Sequence, residues 1–306
     1  MLLPIPALSR LIVTGKDRAK YLHNFCTNDI KELSAGNACE AFFCDVKARV
    51  IAHSYVLAFD DCHEIWMLAG DEAEILKHLN RYIITEDVTI LSATSSTSVV
   101  AAIGATSAQT LLNNAAEASD DLQQPLRCAR LQSSSPDCSG SSATALSLVW
   151  ADASMLWLAT TTDAGDISAA PDVISAKREF EQLRIRERFP IINQDLSIDN
   201  MAPEAERNTT AISYVKGCYL GQEPIARLDA MGHVNRALRC VESTSSAAQL
   251  LQANILTPDG TIAGVVTSAT PIEDGSIGLA LLRTNAIQIP LHCTIDGKNV
   301  TVKVLP

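Results

Sequence analysis

Cys218 stands between two glycines in the run Tyr214-Val215-Lys216-Gly217-Cys218-Tyr219-Leu220-Gly221-Gln222-Glu223-Pro224, with a cation two positions before it and a carboxylate five after. Glycine removes side-chain bulk and permits positive φ, so the backbone here can turn sharply and lie close to a ligand. A thiol so placed can reach solvent, and Lys216 with Arg227 could raise its thiolate fraction. The residue types equally allow a small buried cysteine in a tight turn, because free Cys is among the most buried residues. Downstream, Glu223 can receive amine donors and Arg227 can hold a carboxylate in a bidentate fork. Gly232-His233-Val234-Asn235-Arg236 supplies another small, donor-rich turn. The set suits a ligand with an amide-and-amine edge and a carboxylate tail. A pterin with its glutamate fits that description, as do other ligands.

The remaining chemistry-bearing residues are dispersed. Nine cysteines, Cys26, Cys39, Cys44, Cys62, Cys128, Cys138, Cys218, Cys240 and Cys293, form no C-x-x-C pair in a chain too large to need staples. Free thiols in a reducing compartment are expected, with no metal site. His23, His53, His63 and His78 lack metal-like spacing and read as surface or packed histidines. Trp66, Trp150 and Trp157 read as core. The net charge of -11 opposes non-specific nucleic-acid binding. Yet residues 176–240 carry ten basic and nine acidic side chains, against 14 and 26 elsewhere. One slightly positive segment in a negative chain suits an anion, or is a set of solvated helix charges. No apolar run is long enough to cross a membrane, and the start lacks a secretory pattern, so a cytoplasmic protein without membrane contact is expected.

Hydrophobic periodicity predicts the elements that must hold these residues. A strand over 8–14 ends at Gly15, and Asp17 stands where an N-cap would begin a helix over 18–26, whose Ala19, Leu22, Phe25 and Cys26 recur at helical spacing. Strands follow near 41–44, 50–59 and 65–69, then an Asp71-capped helix to Asn80 and a strand near 88–91. A strand over 98–103 and a helix over 107–118 repeat that order. A Ser-rich loop over 132–142, strands near 146–150 and 155–160, and a long helix over 171–188 complete the larger part. Arg184 and Arg186 fall on opposite sides of that helix. Beyond Cys240, short strands separated by Pro258-Asp259-Gly260, Asp274-Gly275 and Asp296-Gly297 predict a small barrel. The class is therefore α+β with antiparallel sheets, organised as 1–240, in two α/β parts near 1–95 and 96–240, and 241–306, with the last boundary near 236–245.

Lys216 to Glu223, followed by Ala226-Arg227 and Gly232 to Arg236, resembles the signature of YgfZ-type folate-binding proteins of the aminomethyltransferase superfamily. Phe25-Cys26-Thr27-Asn28-Asp29-Ile30 resembles that family's exit from its first helix, and Asp45-Val46-Lys47-Ala48-Arg49 its Asp-x-Lys-Gly-Arg turn. Leu183-Arg184-Ile185 with Pro190, Ala202-Pro203-Glu204-Ala205, and the strands around Gly264 and Gly278 extend the likeness over nearly the whole chain.

The resemblance implies a multi-domain ring with a C-terminal β-barrel, tetrahydrofolate as the bound cofactor, and work in iron-sulfur cluster assembly or repair with dependent tRNA modification. It implies that Glu204, Lys216, Tyr219, Gln222, Glu223, Arg227 and Asn28 hold the folate and that Cys218 is the working thiol. Iron-sulfur proteins or assembly factors are the implied partners, and a monomer is expected. Two departures concern turns, Ala48 and Arg188-Phe189 where the family carries Gly. A third places Ala52-His53 where the related glycine-cleavage transferases carry an aspartate pair. An active aminomethyltransferase is therefore not expected, although a folate-dependent one-carbon transferase, with Asp45 or Glu204 as its carboxylate, is the alternative. A scaffold that binds no folate is the other.

Overall fold

The computed structural model describes residues 2–5, 8–68, 71–94, 98–103, 122, 124–131, 143–150, 154–161, 173–232 and 234–306. The helix expected over 107–118, the Ser-rich loop, Cys138 and His233 lie outside these residues. The chain divides into two compact units, both discontinuous in sequence. One comprises Met1–Cys44, Ile51–Lys177 and Thr209–Leu220; the other comprises Asp45–Val50, Arg178–Asn208 and Gly221–Pro306.

The first unit contains two five-stranded sheets. In one, β3 (Ala38–Cys44), β4 (Val50–Ala58), β5 (His63–Leu68), β2 (Leu8–Thr14) and β6 (Thr89–Ser92) lie in that order. Helices α1 (Arg18–Phe25) and α2 (Glu72–Asn80) contribute Tyr21, Leu22, Ile75 and Leu79 to a core shared with Leu11, Val13, Phe43, Val56 and Ile65. The other sheet runs β1 (Leu2–Ile5), β7 (Ser98–Ile103), β10 (Ser154–Thr161), β9 (Ala143–Trp150) and β8 (Arg127–Leu131), with every pair antiparallel. Near-continuous apolar runs such as β4, buried along almost its whole length, are what a strand covered on both faces requires. A buried bidentate pair joins Arg10 to Glu64, at 2.8 Å from Nε and 2.7 Å from Nη2, and the indole Nε1 of Trp66 donates to the same carboxylate at 2.9 Å.

The second unit is built on a closed barrel in the order β11 (Arg236–Ser243), β14 (Gly275–Arg283), β13 (Ile262–Ile272), β12 (Asn254–Leu256), β15 (Leu291–Ile295) and β16 (Lys298–Val304). Asp296 and Gly297, at φ 50° and 74°, form the mirror-image turn that joins β15 to β16, as an Asp-Gly pair favours. Helix α3 (Val173–Arg186) enters this unit at Arg178 and buries Arg184 completely. Its guanidinium donates to Asp195 Oδ2 at 2.7 Å, Ser268 Oγ at 2.7 Å and the Phe189 carbonyl at 2.9 Å, and it pairs with Glu181. Arg184 is thus a structural cation, while Arg186 is exposed.

The expected class, α+β with antiparallel sheets and a C-terminal barrel, is the one observed. Several local expectations differ. Asp17 does not cap α1 through its side chain; Oδ2 instead accepts from the Asp87 amide at 2.9 Å, fastening the loop before β6. Strands β1 and β8 were not expected, because each is short and is defined by its neighbours rather than by its own pattern. Nor was the ten-residue helix that begins at Gln222, described below. The eight described cysteines are all free thiols. Among the described residues no helix is long and apolar enough to cross a membrane.

Candidate functional site: a cysteine loop and an acidic-basic pocket

Within the first unit, the segment from Ile212 to Leu220, which follows the short helix α4 (Asn208–Ala211), crosses the C-terminal end of α1. Helix ends leave carbonyls without intrahelical donors, and a cation is the favoured partner there. Lys216 supplies it: Nζ donates to the carbonyls of His23 at 2.5 Å, Cys26 at 2.8 Å and Asn28 at 2.7 Å. The ammonium also lies 4.8 Å from the centre of the Tyr219 ring, and both side chains are buried. Burial holds Lys216 below the usual lysine value and pushes the Tyr219 phenol up. The Leu220 amide completes the attachment by donating to the Asn24 carbonyl at 2.9 Å. Between these anchors Gly217 and Cys218 are exposed. Of the eight described cysteines Cys218 is the exposed one, and burial raises the nearby thiols of Cys26 and Cys39.

The two glycines of the motif do different work. Gly217 does not take positive φ, whereas Gly221 does, at 84°. Gly221 is the N-cap of helix α5 (Gln222–Met231) in the second unit, and its lack of a Cβ lets the Asp45 turn approach. Pro224 stands in the first turn of α5, where its missing N–H costs nothing.

Asp45 organises that turn, accepting the amides of Lys47 at 2.8 Å and Arg49 at 2.9 Å on Oδ1. Residue 48 then takes φ 61°, and Arg188 takes φ 57°. Both departures from the family's glycines therefore occupy left-handed backbone, where glycine is the unstrained residue.

The turn forms one wall of a pocket of about 370 Å³ lined by Val46, Lys47, Arg49, Asp199, Met201, Glu204, Pro224 and Arg227. Glu204 is buried in the 3-10 turn Ala202–Ala205. Its Oε2 accepts from Asn200 Nδ2 at 2.6 Å and from Arg236 Nη2 at 3.4 Å, while Oε1 makes none of the described bonds. Three cations and two carboxylates thus share one cavity, with Arg49 held 3.5 Å from Asp199. Such a pocket can orient a ligand that carries amine donors at one end and an anion at the other.

The candidate residues fall in separate places. Asn28, Lys216, Cys218 and Tyr219 belong to the loop on α1, where Asn28 spends its amide on the carbonyls of Glu40 at 2.8 Å and Thr210 at 2.9 Å. Glu204 and Arg227 share the pocket; Gln222 and the exposed Glu223 begin α5 without lining it. His23, expected to be a surface or packed histidine, is buried. Its Nδ1 lies 3.1 Å from Asp29 Oδ1, and its Nε2 lies 3.7 Å from the point where a Cβ on Gly217 would stand. Burial and then the Lys216 ammonium lower its pKa below the ordinary imidazole value, against the pull of Asp29. His23 and Asp29 flank a helix end, and their separation of six residues resembles no acid-base motif. His53, which the resemblance sets against the transferases' aspartates, is buried, stacked on Phe42 at 4.5 Å and bonded to Glu40 Oε1 at 2.6 Å.

No family model matches the chain. A putative transferase of Arabidopsis thaliana chloroplasts is 28% identical over 96% of this chain, which spans 66% of that protein's length. The tRNA-modifying protein YgfZ of Colwellia psychrerythraea is 23% identical over 79% of the chain and 71% of its own length. The mouse mitochondrial iron-sulfur cluster assembly factor IBA57 is 25% identical over 92% and 76%. Among solved structures, the glycine cleavage system aminomethyltransferase T of Bartonella henselae superposes over 100% of the chain and 84% of its own with a TM-score of 0.79 at 14% identity, a likeness of fold.

Proposed function

Because the chain is a YgfZ-like protein of the aminomethyltransferase superfamily, we propose that it is a folate-binding accessory protein for iron-sulfur cluster assembly and the tRNA modification that depends on it. The role in cluster assembly and tRNA modification is supported by relatives that carry those names. The observation that carries folate binding is the pocket in which the buried Glu204 carboxylate faces the same cavity as Arg227, Arg49 and Lys47. Glu204 receives the amide-and-amine edge of the pterin, and the cations receive the glutamate tail. Cys218, exposed on a loop whose two ends are fastened, is the thiol presented to client proteins or their assembly factors.

Aminomethyl transfer requires a carboxylate beside the reacting nitrogen. The resemblance sets Ala52-His53 where the glycine-cleavage transferases carry an aspartate pair, and His53 itself is enclosed by Phe42 and Glu40. Purified protein given tetrahydrofolate and an aminomethyl donor is expected to yield no methylene-tetrahydrofolate above background; steady turnover would overturn this reading. In cells lacking the protein, the Cys218→Ser variant is expected to bind folate normally yet fail to restore iron-sulfur enzyme activity. Full restoration would remove the thiol from the mechanism.

A further inference from the structure

We propose that Asn200 is the positioning residue of the pocket: its side-chain amide fixes the Glu204 carboxylate for an amine-bearing ligand, and its main chain ties that carboxylate to the turn carrying the cations. This rests on the preceding reading, in which Glu204 meets the ligand, and adds the residue that sets its geometry. All the groups involved lie in the second unit. Asn200 is only 4% exposed, and its Nδ2 donates to Glu204 Oε2 at 2.6 Å. The orientation of the side-chain amide is decided at its other end. Oδ1 accepts the Ser197 backbone N–H at 2.9 Å and the Ser197 hydroxyl at 3.4 Å. A backbone N–H can only donate, so the oxygen must face Ser197 and the nitrogen Glu204. The main-chain N–H of Asn200 donates to the Ser197 carbonyl at 2.9 Å and closes the turn.

The second donor to Oε2 is the lesser one. Arg236 Nη2 stands at 3.4 Å and its side chain is 43% exposed, so solvent screens the pair. Asn200 is therefore the partner that locks the carboxylate, leaving Oε1, which makes none of the described hydrogen bonds, as the acceptor offered to a ligand. With Asn200 donating, Glu204 only accepts, and the ligand edge it admits must bring N–H donors. The same residue holds the neighbouring wall. Its carbonyl accepts the Val50 amide at 2.9 Å, Met201 bridges Arg49, and the Ala202 amide donates to the Ala48 carbonyl at 3.3 Å. One buried side chain and its own backbone thus set the spacing between the acid and the turn that carries Lys47 and Arg49. The other charged groups lining the cavity are Asp199 and Arg227.

Asn200→Asp tests this, because it keeps the acceptor for Ser197 and the main chain and removes only the donor. Two carboxyl groups at that separation share a proton, which the introduced acid donates to Glu204 at low pH and loses as pH rises. Titrated anaerobically with tetrahydrofolate, the variant is expected to bind about tenfold more weakly than wild type at about pH 8, with the ratio closing to within about threefold at about pH 5. Taking the ratio removes the ligand's own titration. In a Glu204→Gln background, where the introduced carboxylate accepts from the new amide, Asn200→Asp should cost less than about twofold. A ratio that does not change with pH, or an undiminished loss in the Glu204→Gln background, would mark a residue that only supports the fold and overturn the proposal; so would equal affinity at the alkaline end. If the variants do not fold, wild type alone decides: the side-chain amide resonance of Asn200 should shift in the NMR spectrum on saturation with tetrahydrofolate, and an unmoved resonance overturns the proposal. Wild-type protein that binds no tetrahydrofolate removes the preceding reading and this one together, whereas binding with a flat ratio removes this one alone.

Discussion

The carbonyl oxygen of Asp45 lies 2.5 Å from where a Cβ on Gly221 would stand. The first residue of the resembling Asp-x-Lys-Gly-Arg turn is thus packed against the last glycine of the cysteine motif, backbone on backbone, within the second unit. Neither partner can withdraw by a rotamer change. Gly221→Ala must both displace main chain and hold φ 84° with a side chain, which together cost about 3 kcal/mol. The measurement is the urea midpoint, and a variant within 0.5 kcal/mol of wild type, on the scale of about 1 kcal/mol per left-handed residue, would contradict the contact.

The two left-handed departures from glycine should respond differently. Arg188→Gly relieves φ 57° at a partly exposed site and removes a cation that lowers the Arg239 pKa. A gain of about 1 kcal/mol is expected. Ala48→Gly relieves φ 61° but deletes a methyl that is fully buried, and a buried methyl is worth about 0.8 kcal/mol. The terms offset, and thermal melts should show Arg188→Gly shifted upward and Ala48→Gly nearly unchanged.

Lys216 caps the C-terminal end of α1. Lys216→Met keeps the stem and strips the donor from three carbonyls in a buried setting. The expected loss is about 3 kcal/mol. Limited proteolysis should then cut between residues 212 and 220 faster than in wild type. Equal cleavage would mean that the loop is fastened by other contacts.

Acid should weaken the fold through His63. The ring is 4% exposed, and neither nitrogen has a partner among the described residues. Burial, with Arg18 nearby, lowers its pKa to about 4. The unfolded chain therefore binds the extra proton between about pH 6.5 and about pH 4, and stability falls as pH falls through that window, by about 3 kcal/mol in all. His63→Phe should flatten this part of the stability-pH curve. A variant as acid-sensitive as wild type between pH 6.5 and 4 would assign the loss elsewhere.

The class and most elements were legible because they rest on local signals: the Asp71 cap, whose side chain accepts the Glu74 amide, the Asp-Gly turns and the periodicity of α1. Lys216 was legible as a functional cation but not as a capping one, because its carbonyl partners lie about 190 residues away in sequence. Helix α5 was hidden by Pro224 and by two glycines that suggested a continuous turn. The pocket brings together Val46, Asp199 and Arg227, and no spacing rule links residues so distant.

Folate binding at Glu204 is the central claim, and isothermal titration of tetrahydrofolate into the wild-type and Glu204→Gln proteins tests it most directly. Saturable binding to wild type, weakened at least about tenfold in the variant, a difference of about 1.4 kcal/mol, is the expected result. A null titration of folded wild-type protein, or equal affinity in the two, would contradict it.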